Sequence, residues 1–495
     1  MSDDEFVNMV YRQVTSKRAV SGNNFPQGVI DYDFSIGGST AWVPSRSYLR
    51  VGLTVSDGAG NQPNYNKQIA IADGVCGNLF NNVYMRAGGQ DISSLVNYVP
   101  QGSAIKNRTM KSGAWLKSLG ASAFGLQPDF NTRVKQVSTG TPTTVDGELQ
   151  TFKLGTLANK DSYQVTISIL GAVASANADF SGLTIGDSIM IDGIMYPLTA
   201  VNVVAGTATT SNVPVVAISS GATGTALGVK NENTGSGRNV VYVMYQPPIG
   251  IFDHDKPMGS GDYRLQLNPN AYYKTSCVES VLDLVAGSDF NITVDSMELY
   301  IATCNIAIPP TGVETLFLNE LNIQSKTLSG TGDQNFDFTI PSSTKAISVF
   351  VQSGNSGNTV LLPPSMFKTK DKSDTNIRSL QLTYANQTKP STRWQSEYAS
   401  NTNRLQQRYL DTQIESGLVF SDGGSETFAD FIKRGLYYHY GWIRDSSDRS
   451  TQLQLNIDYS AIEADAKIFV VSHFTRTIEI SVSNGFVSDV KSLTV

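Results

Sequence analysis

The sequence predicts an all-β protein: two tandem eight-stranded antiparallel jelly rolls, with a β-rich loop insertion in the first. Three observations carry this expectation. Near the C-terminus, TQLQLNIDYS puts Leu453, Leu455, Ile457 and Tyr459 on one face and Gln454, Asn456 and Asp458 on the other. RTIEISVSNGF repeats the pattern, with Ile478, Ile480 and Val482 alternating with Glu479, Ser481 and Ser483. Successive strand side chains point to opposite faces, so period two marks a half-buried antiparallel strand. The same alternation recurs upstream in YLRVGLTV from Tyr48, YRLQLNPN from Tyr263 and NFDFTIPSS from Asn335. Second, charged residues are sparse at 16% while Gly, Ser, Thr and Asn abound, a composition suited to sandwiches with long loops. Third, the strand candidates fall into two sets of about eight, the count of a jelly roll.

With 495 residues the chain exceeds one ordinary domain, and its 40% hydrophobic content is enough for packed cores. A net charge of −6 and the lack of an Arg/Lys-rich arm argue against direct nucleic-acid binding. No apolar run reaches the roughly 18 residues of a membrane span. The N-terminus, with Asp3, Asp4 and Glu5, lacks the apolar core of a signal peptide. Cys76, Cys277 and Cys304 are odd in number and far apart. They imply no disulfide framework and a reducing cytosolic or nuclear site of folding. The sequons at Asn107, Asn291 and Asn386 are read as chance.

Residues 1–27 are expected to form an N-terminal arm. Phe6, Val10 and Val14, spaced by four, fit a short amphipathic helix. The alternative is a mobile terminus that orders against a neighbour. The first roll is assigned to residues 28–312. Ala87-Gly88-Gly89 reads as a hairpin turn, because the glycine pair supplies positive φ. A helical patch is expected over 103–119, with Ile105, Met110 and Trp115 among Lys and Arg residues. Residues 136–235 lack Arg, His, Cys and Trp and hold three lysines against seven acids. They read as a β module inserted in a surface loop, which tolerates length at little entropic cost. Ile308-Pro309-Pro310-Thr311-Gly312 reads as a linker. The second roll takes residues 313–495, with a mixed polar segment over 373–417.

Chemistry-bearing residues are few. The three histidines are His254, His439 and His473. Asp253-His254-Asp255 could hold a metal only if a turn bends it; the plainer reading is a structural loop. His439 lies in GLYYHYGW, an aromatic run that fits a core or a subunit contact better than a ligand cage. His473 reads as a packed, hydrogen-bonded histidine. The acidic, Gly-rich stretch 421–426 lacks calcium-loop spacing. There is no phosphate-binding Gly loop, nucleophile elbow, HExxH or CxxC. No cofactor and no enzyme activity are expected. Trp394, Tyr437, Tyr438, Tyr440 and Trp442 are the candidate subunit-interface residues.

Three segments carry a family resemblance: NLFNNVYMRAGGQDIS, PPIGIFDHDKPMGSGDYRLQLNPN and GLYYHYGWIRDSSDRSTQLQLNIDYS. In order and spacing they resemble the double jelly-roll major capsid proteins of icosahedral DNA viruses, in the Polinton-like virus and virophage branch. Ala87-Gly88-Gly89 stands where that family has Asn-Gly. The resemblance implies a homotrimer whose six rolls form a pseudo-hexameric capsomer of a virion shell. It implies contacts with neighbouring capsomers and with penton and minor capsid proteins. The N-terminal arm would face the inner capsid layer or a membrane, and 136–235 would form an outward tower. The chain would be made in the host cytoplasm or nucleus and not secreted. Two other readings stand beside it: a trimeric β-rich spike or tail protein binding host glycans, and a polysaccharide-acting enzyme on a jelly-roll scaffold.

Overall fold

The computed structural model describes residues 8–21, 25–56, 69–126, 239–280, 285–305, 312–353, 363–367, 377–395, 402–417, 426–441, 450–459, 466–483 and 486–492, with short strands between 137 and 226. Its strands form two sandwiches. The first has one sheet ordered Val10–Val14, Asn291–Asn305, Thr40–Ser56, Asn239–Tyr245. Its second sheet is ordered Ile30–Ile36, Gly261–Pro269, Phe80–Ala87, Gln90–Val96. In the other sandwich, Gly312–Thr327, Lys467–Ser483, Thr344–Gln352 and Tyr438–Gly441 face Gly332–Thr339, Gln452–Tyr459, Ile377–Tyr384 and Gln387–Gln395. Phe486–Ser492 pairs with Lys467–Ser483, which makes its sheet five-stranded. Between residues 136 and 235, six strands from Tyr163–Ile167 to Ala222–Ala226 close a small antiparallel barrel.

The period-two readings hold at the level of single residues. Leu453, Leu455, Ile457 and Tyr459 are all buried, whereas Gln454 is exposed. Ile30, Tyr32, Phe34 and Ile36 line the first core in the same way. At the first hairpin Gly88 and Gly89 take φ of 54° and 85°, which a tight primed turn demands. One irregularity is repaired by a side chain. A β-bulge shifts the register of Asn291–Asn305 on Thr40–Ser56 between Tyr300 and Ala302. There the fully buried Ser47 hydroxyl accepts the Ala302 N–H at 3.0 Å and the Trp42 indole N–H at 2.9 Å. It donates to the Val43 carbonyl at 3.0 Å, so the Ala302 N–H and the Trp42 indole N–H both find a partner at the bulge.

Several expectations need correction. The four-residue spacing of Val10 and Val14 belongs to a strand: Val10–Val14 pairs antiparallel with Asn291–Asn305. Four is a multiple of two, so this spacing fits both periods. Phe6 lies outside the described residues, as do 308–311 of the expected linker. The helical patch is broken: Val99–Met110 ends before Lys111, and shorter turns follow from Gly113 to Ala123. KIFVVSHF and RTIEISVS form one 17-residue strand, Lys467–Ser483. The polar segment 373–417 contains a hairpin, Ile377–Tyr384 with Gln387–Gln395, and the helix Thr402–Glu415.

The two sandwiches share a continuous buried cluster. In Thr344–Gln352, Ile347, Val349 and Val351 belong to the second core, while Phe350 joins the cluster shared with the first sandwich. Lys467–Ser483 divides likewise: Ile468 and Val470 face the second core, Phe469 and Val471 the shared cluster. This sheet is therefore covered on both faces. The approach is close enough to need glycine. A Cβ on Gly250 would lie 2.6 Å from the Asn319 carbonyl oxygen.

Candidate interaction surface and the roll–roll junction

The aromatic run of the second roll is consumed inside the chain. Tyr437, Tyr438 and Tyr440 are 0%, 1% and 6% exposed. Tyr438 and Tyr440 pack in the second core, and Tyr437 packs in the shared cluster beside Phe367 and Phe431. With their rings buried, these three offer no surface to another subunit; Tyr437 is an interface residue within the chain. Trp442 lies outside the described residues. Trp394 sits opposite Leu380 on Gln387–Gln395, and its side chain also lies outside them.

Around Tyr437 the junction is ionic as well as apolar. The Arg108 guanidinium lies 4.4 Å from the Tyr437 ring centroid. It pairs with Glu426 at 2.9 Å, and Arg434 pairs with Asp73 at 2.8 Å and with Glu426 at 3.4 Å. All four side chains are nearly fully buried. Arg108 and Asp73 come from the first roll, Glu426 and Arg434 from the second. A buried pair of this kind resists loss of either partner, because the charge left behind cannot reach water.

The histidines divide. Asp253 ends the 3-10 turn Gly250–Asp253 and pairs with Lys106 at 2.7 Å. His254 is tied into a loop, its carbonyl accepting the Ser45 N–H at 3.2 Å. Among the described residues no cluster of His, Cys, Asp or Glu could hold a metal ion. The fold does bring the other two histidines together. The Ser348 hydroxyl sits 2.8 Å from His439 Nδ1 and 2.9 Å from His473 Nε2. Burial keeps both rings neutral, with His473 pushed down to about 4 and His439 well below the ordinary histidine range.

The aromatic surface that remains accessible lies elsewhere. On the outer face of the first roll, register sets Tyr48 opposite Tyr300, Arg50 opposite Glu298 and Tyr242 opposite Gly52. Tyr48 and Tyr300 stack at 5.4 Å, and Tyr11 tilts against Tyr48 at 6.0 Å. Arg50 lies 4.9 Å from the Tyr300 centroid and 6.0 Å from that of Tyr242. Glu298 fixes it by accepting from Nε at 3.0 Å and Nη2 at 2.5 Å. Tyr11 and Tyr242 remain 47% and 62% exposed. The result is a four-strand ladder of rings around a held guanidinium, the residue types that dominate protein contacts. Its signal was present in the outward positions of S-Y-L-R and E-L-Y, Tyr48 with Arg50 and Glu298 with Tyr300.

A Sputnik virophage structure matches 99% of this chain and 89% of its own, with TM-score 0.52 at 11% identity. The fold is a double jelly roll. The mavirus major capsid protein aligns over 97% of this chain and 89% of its own, with TM-score 0.49 and 12% identity. The Faustovirus major capsid protein aligns over 97% and 91%, with TM-score 0.46 and 8% identity. No protein-family model and no curated protein matches the sequence.

Proposed function

We propose that this double jelly-roll protein is a major capsid protein, a structural component of an icosahedral virion shell. The observation that carries the reading is the end-to-end likeness of its fold to a virophage structure, 99% of this chain against 89% of that one. The junction supports it. Buried ion pairs and the close approach at Gly250 join the two rolls, as a shell tile requires.

In this reading the chain's main partner is itself. Three copies place six rolls in a pseudo-hexameric capsomer, which then meets neighbouring capsomers, penton proteins and minor capsid proteins. The ladder of Tyr11, Tyr48, Tyr300, Arg50 and Tyr242 is the proposed subunit contact in place of the buried Tyr437–Tyr440 stretch. The 136–235 barrel serves as an outward tower. Synthesis in the host cytoplasm or nucleus fits three free, buried cysteines. The role is structural, with no enzyme activity. The test is assembly of the purified chain: compact trimers support the reading, and a stable monomer counts against it.

A further inference from the structure

Between the two rolls lies a carboxyl group that no salt bridge neutralises directly. Glu320, on Gly312–Thr327, is 2% exposed. Its partners belong to the first roll: the Ser93 hydroxyl, and the Gly250 N–H at 3.2 Å. Ser93 Oγ in turn accepts the Ile251 N–H at 3.2 Å. Gly250 is also where the turn meets Asn319 too closely for a Cβ. Glu320 therefore sits beside a close approach of the two rolls.

The charges around it are engaged elsewhere. From the helix Val99–Met110, Lys106 reaches toward it but pairs with Asp253 at 2.7 Å. From Lys467–Ser483, Arg476 donates to the Asp91 carbonyl at 3.1 Å, and the nearby His473 is neutral. From Gln90–Val96, the Asp91 carboxylate is held by Arg86 at 2.6 Å. Farther along its own strand, Glu314 is also raised by burial.

We propose that Glu320 makes the roll–roll junction proton-sensitive: the closed junction holds the protonated carboxyl group, and it loosens as that proton leaves. Ser93 Oγ can accept from the neutral acid or donate to the carboxylate, so the contact geometry survives either state while its energy does not. Burial raises the Glu320 pKa from 4.5 to about 7, against the lowering effect of its two donors and of Lys106 and Arg476. The sign follows from linkage. Opening returns Glu320 to water and to its ordinary value, so rising pH favours the open state. The stabilisation is complete below the ordinary value, declines above it, and is spent once pH passes the raised one. Between about pH 6 and 8.5 the opening equilibrium should rise roughly tenfold.

Hydrogen exchange on the full-length protein tests this at the Gly250 and Ile251 amides. After correction for intrinsic rates, the wild type should exchange roughly tenfold faster at the higher pH, and E320Q should stay flat. The Glu320 side-chain carboxyl, followed by 13C NMR in the wild type, should titrate near 7. Equal pH slopes in wild type and E320Q, or an ordinary carboxylate midpoint, would overturn the proposal. The wild-type titration decides even if E320Q folds poorly.

Discussion

Arg108 and Glu426 form a 2.9 Å ion pair between the two rolls, with side chains 3% and 0% exposed. They lie 318 residues apart in sequence. Glu426 also serves Arg434, so one carboxylate compensates two buried cations.

Removing that carboxylate should be costly. Glu426→Ala is expected to destabilise the fold by about 3–5 kcal/mol, because Arg108 and Arg434 lose their shared counter-charge. Replacing Arg108 and Glu426 together with Met and Leu should cost less than either single loss, since Arg434 keeps Asp73 and no buried charge is left without a partner. Urea denaturation of the singles and the double gives the cycle. Single losses below about 1 kcal/mol would mean that water reaches the junction.

The two glycines of the junction should respond differently to alanine. At Gly250 the added Cβ meets backbone, the Asn319 carbonyl at 2.6 Å. Backbone cannot step aside, so Gly250→Ala should cost about 1–3 kcal/mol. At Gly102 the nearest atom is the end of the Leu95 side chain. That end can rotate, and alanine gains about 1 kcal/mol of helix propensity over glycine. Gly102→Ala should therefore be near neutral by thermal melting.

The His439–Ser348–His473 cluster predicts acid sensitivity. Both rings titrate well below the unfolded value of 6.5, His473 at about 4, chiefly because burial disfavours the charged form. Above the unfolded value both states are neutral and nothing changes. As pH falls below it the unfolded chain takes protons that the folded chain refuses, so stability falls until the folded pKa is reached. His473 alone accounts for about 3 kcal/mol across that window. His473→Gln should flatten the slope of denaturation free energy between about pH 6.5 and 4. An unchanged slope would remove the cluster from the acid response.

The ladder separates folding from assembly. Arg50→Glu places a second acid beside Glu298 on an exposed face, where ion pairs contribute about 0–1 kcal/mol. The monomer should stay folded by circular dichroism while self-association weakens. Undiminished association would assign the subunit contact to another face.

Much of the fold was legible because alternation is a local property. Leu453, Leu455, Ile457 and Tyr459 could be assigned to a core face from eight residues of sequence. The double-sided sheet was also written in the chain. IFVV and VFV are continuous apolar runs, as a strand buried on both faces requires. What could not be read were pairings across long separations. Nothing local in the sequence marks Lys106 and Arg108 as buried, yet both are, because their partners Asp253 and Glu426 arrive from distant segments. Tyr437 looked like a surface for another subunit because its aromatic character shows in sequence, whereas the roll that covers it does not.

The most direct measurement is light scattering on the purified protein, with negative-stain images of the same sample. Compact trimers of hexagonal outline, or shells built from them, are the expected result. A monomer, or an elongated fibrous trimer, would contradict the capsid reading and leave a double jelly roll in need of another role.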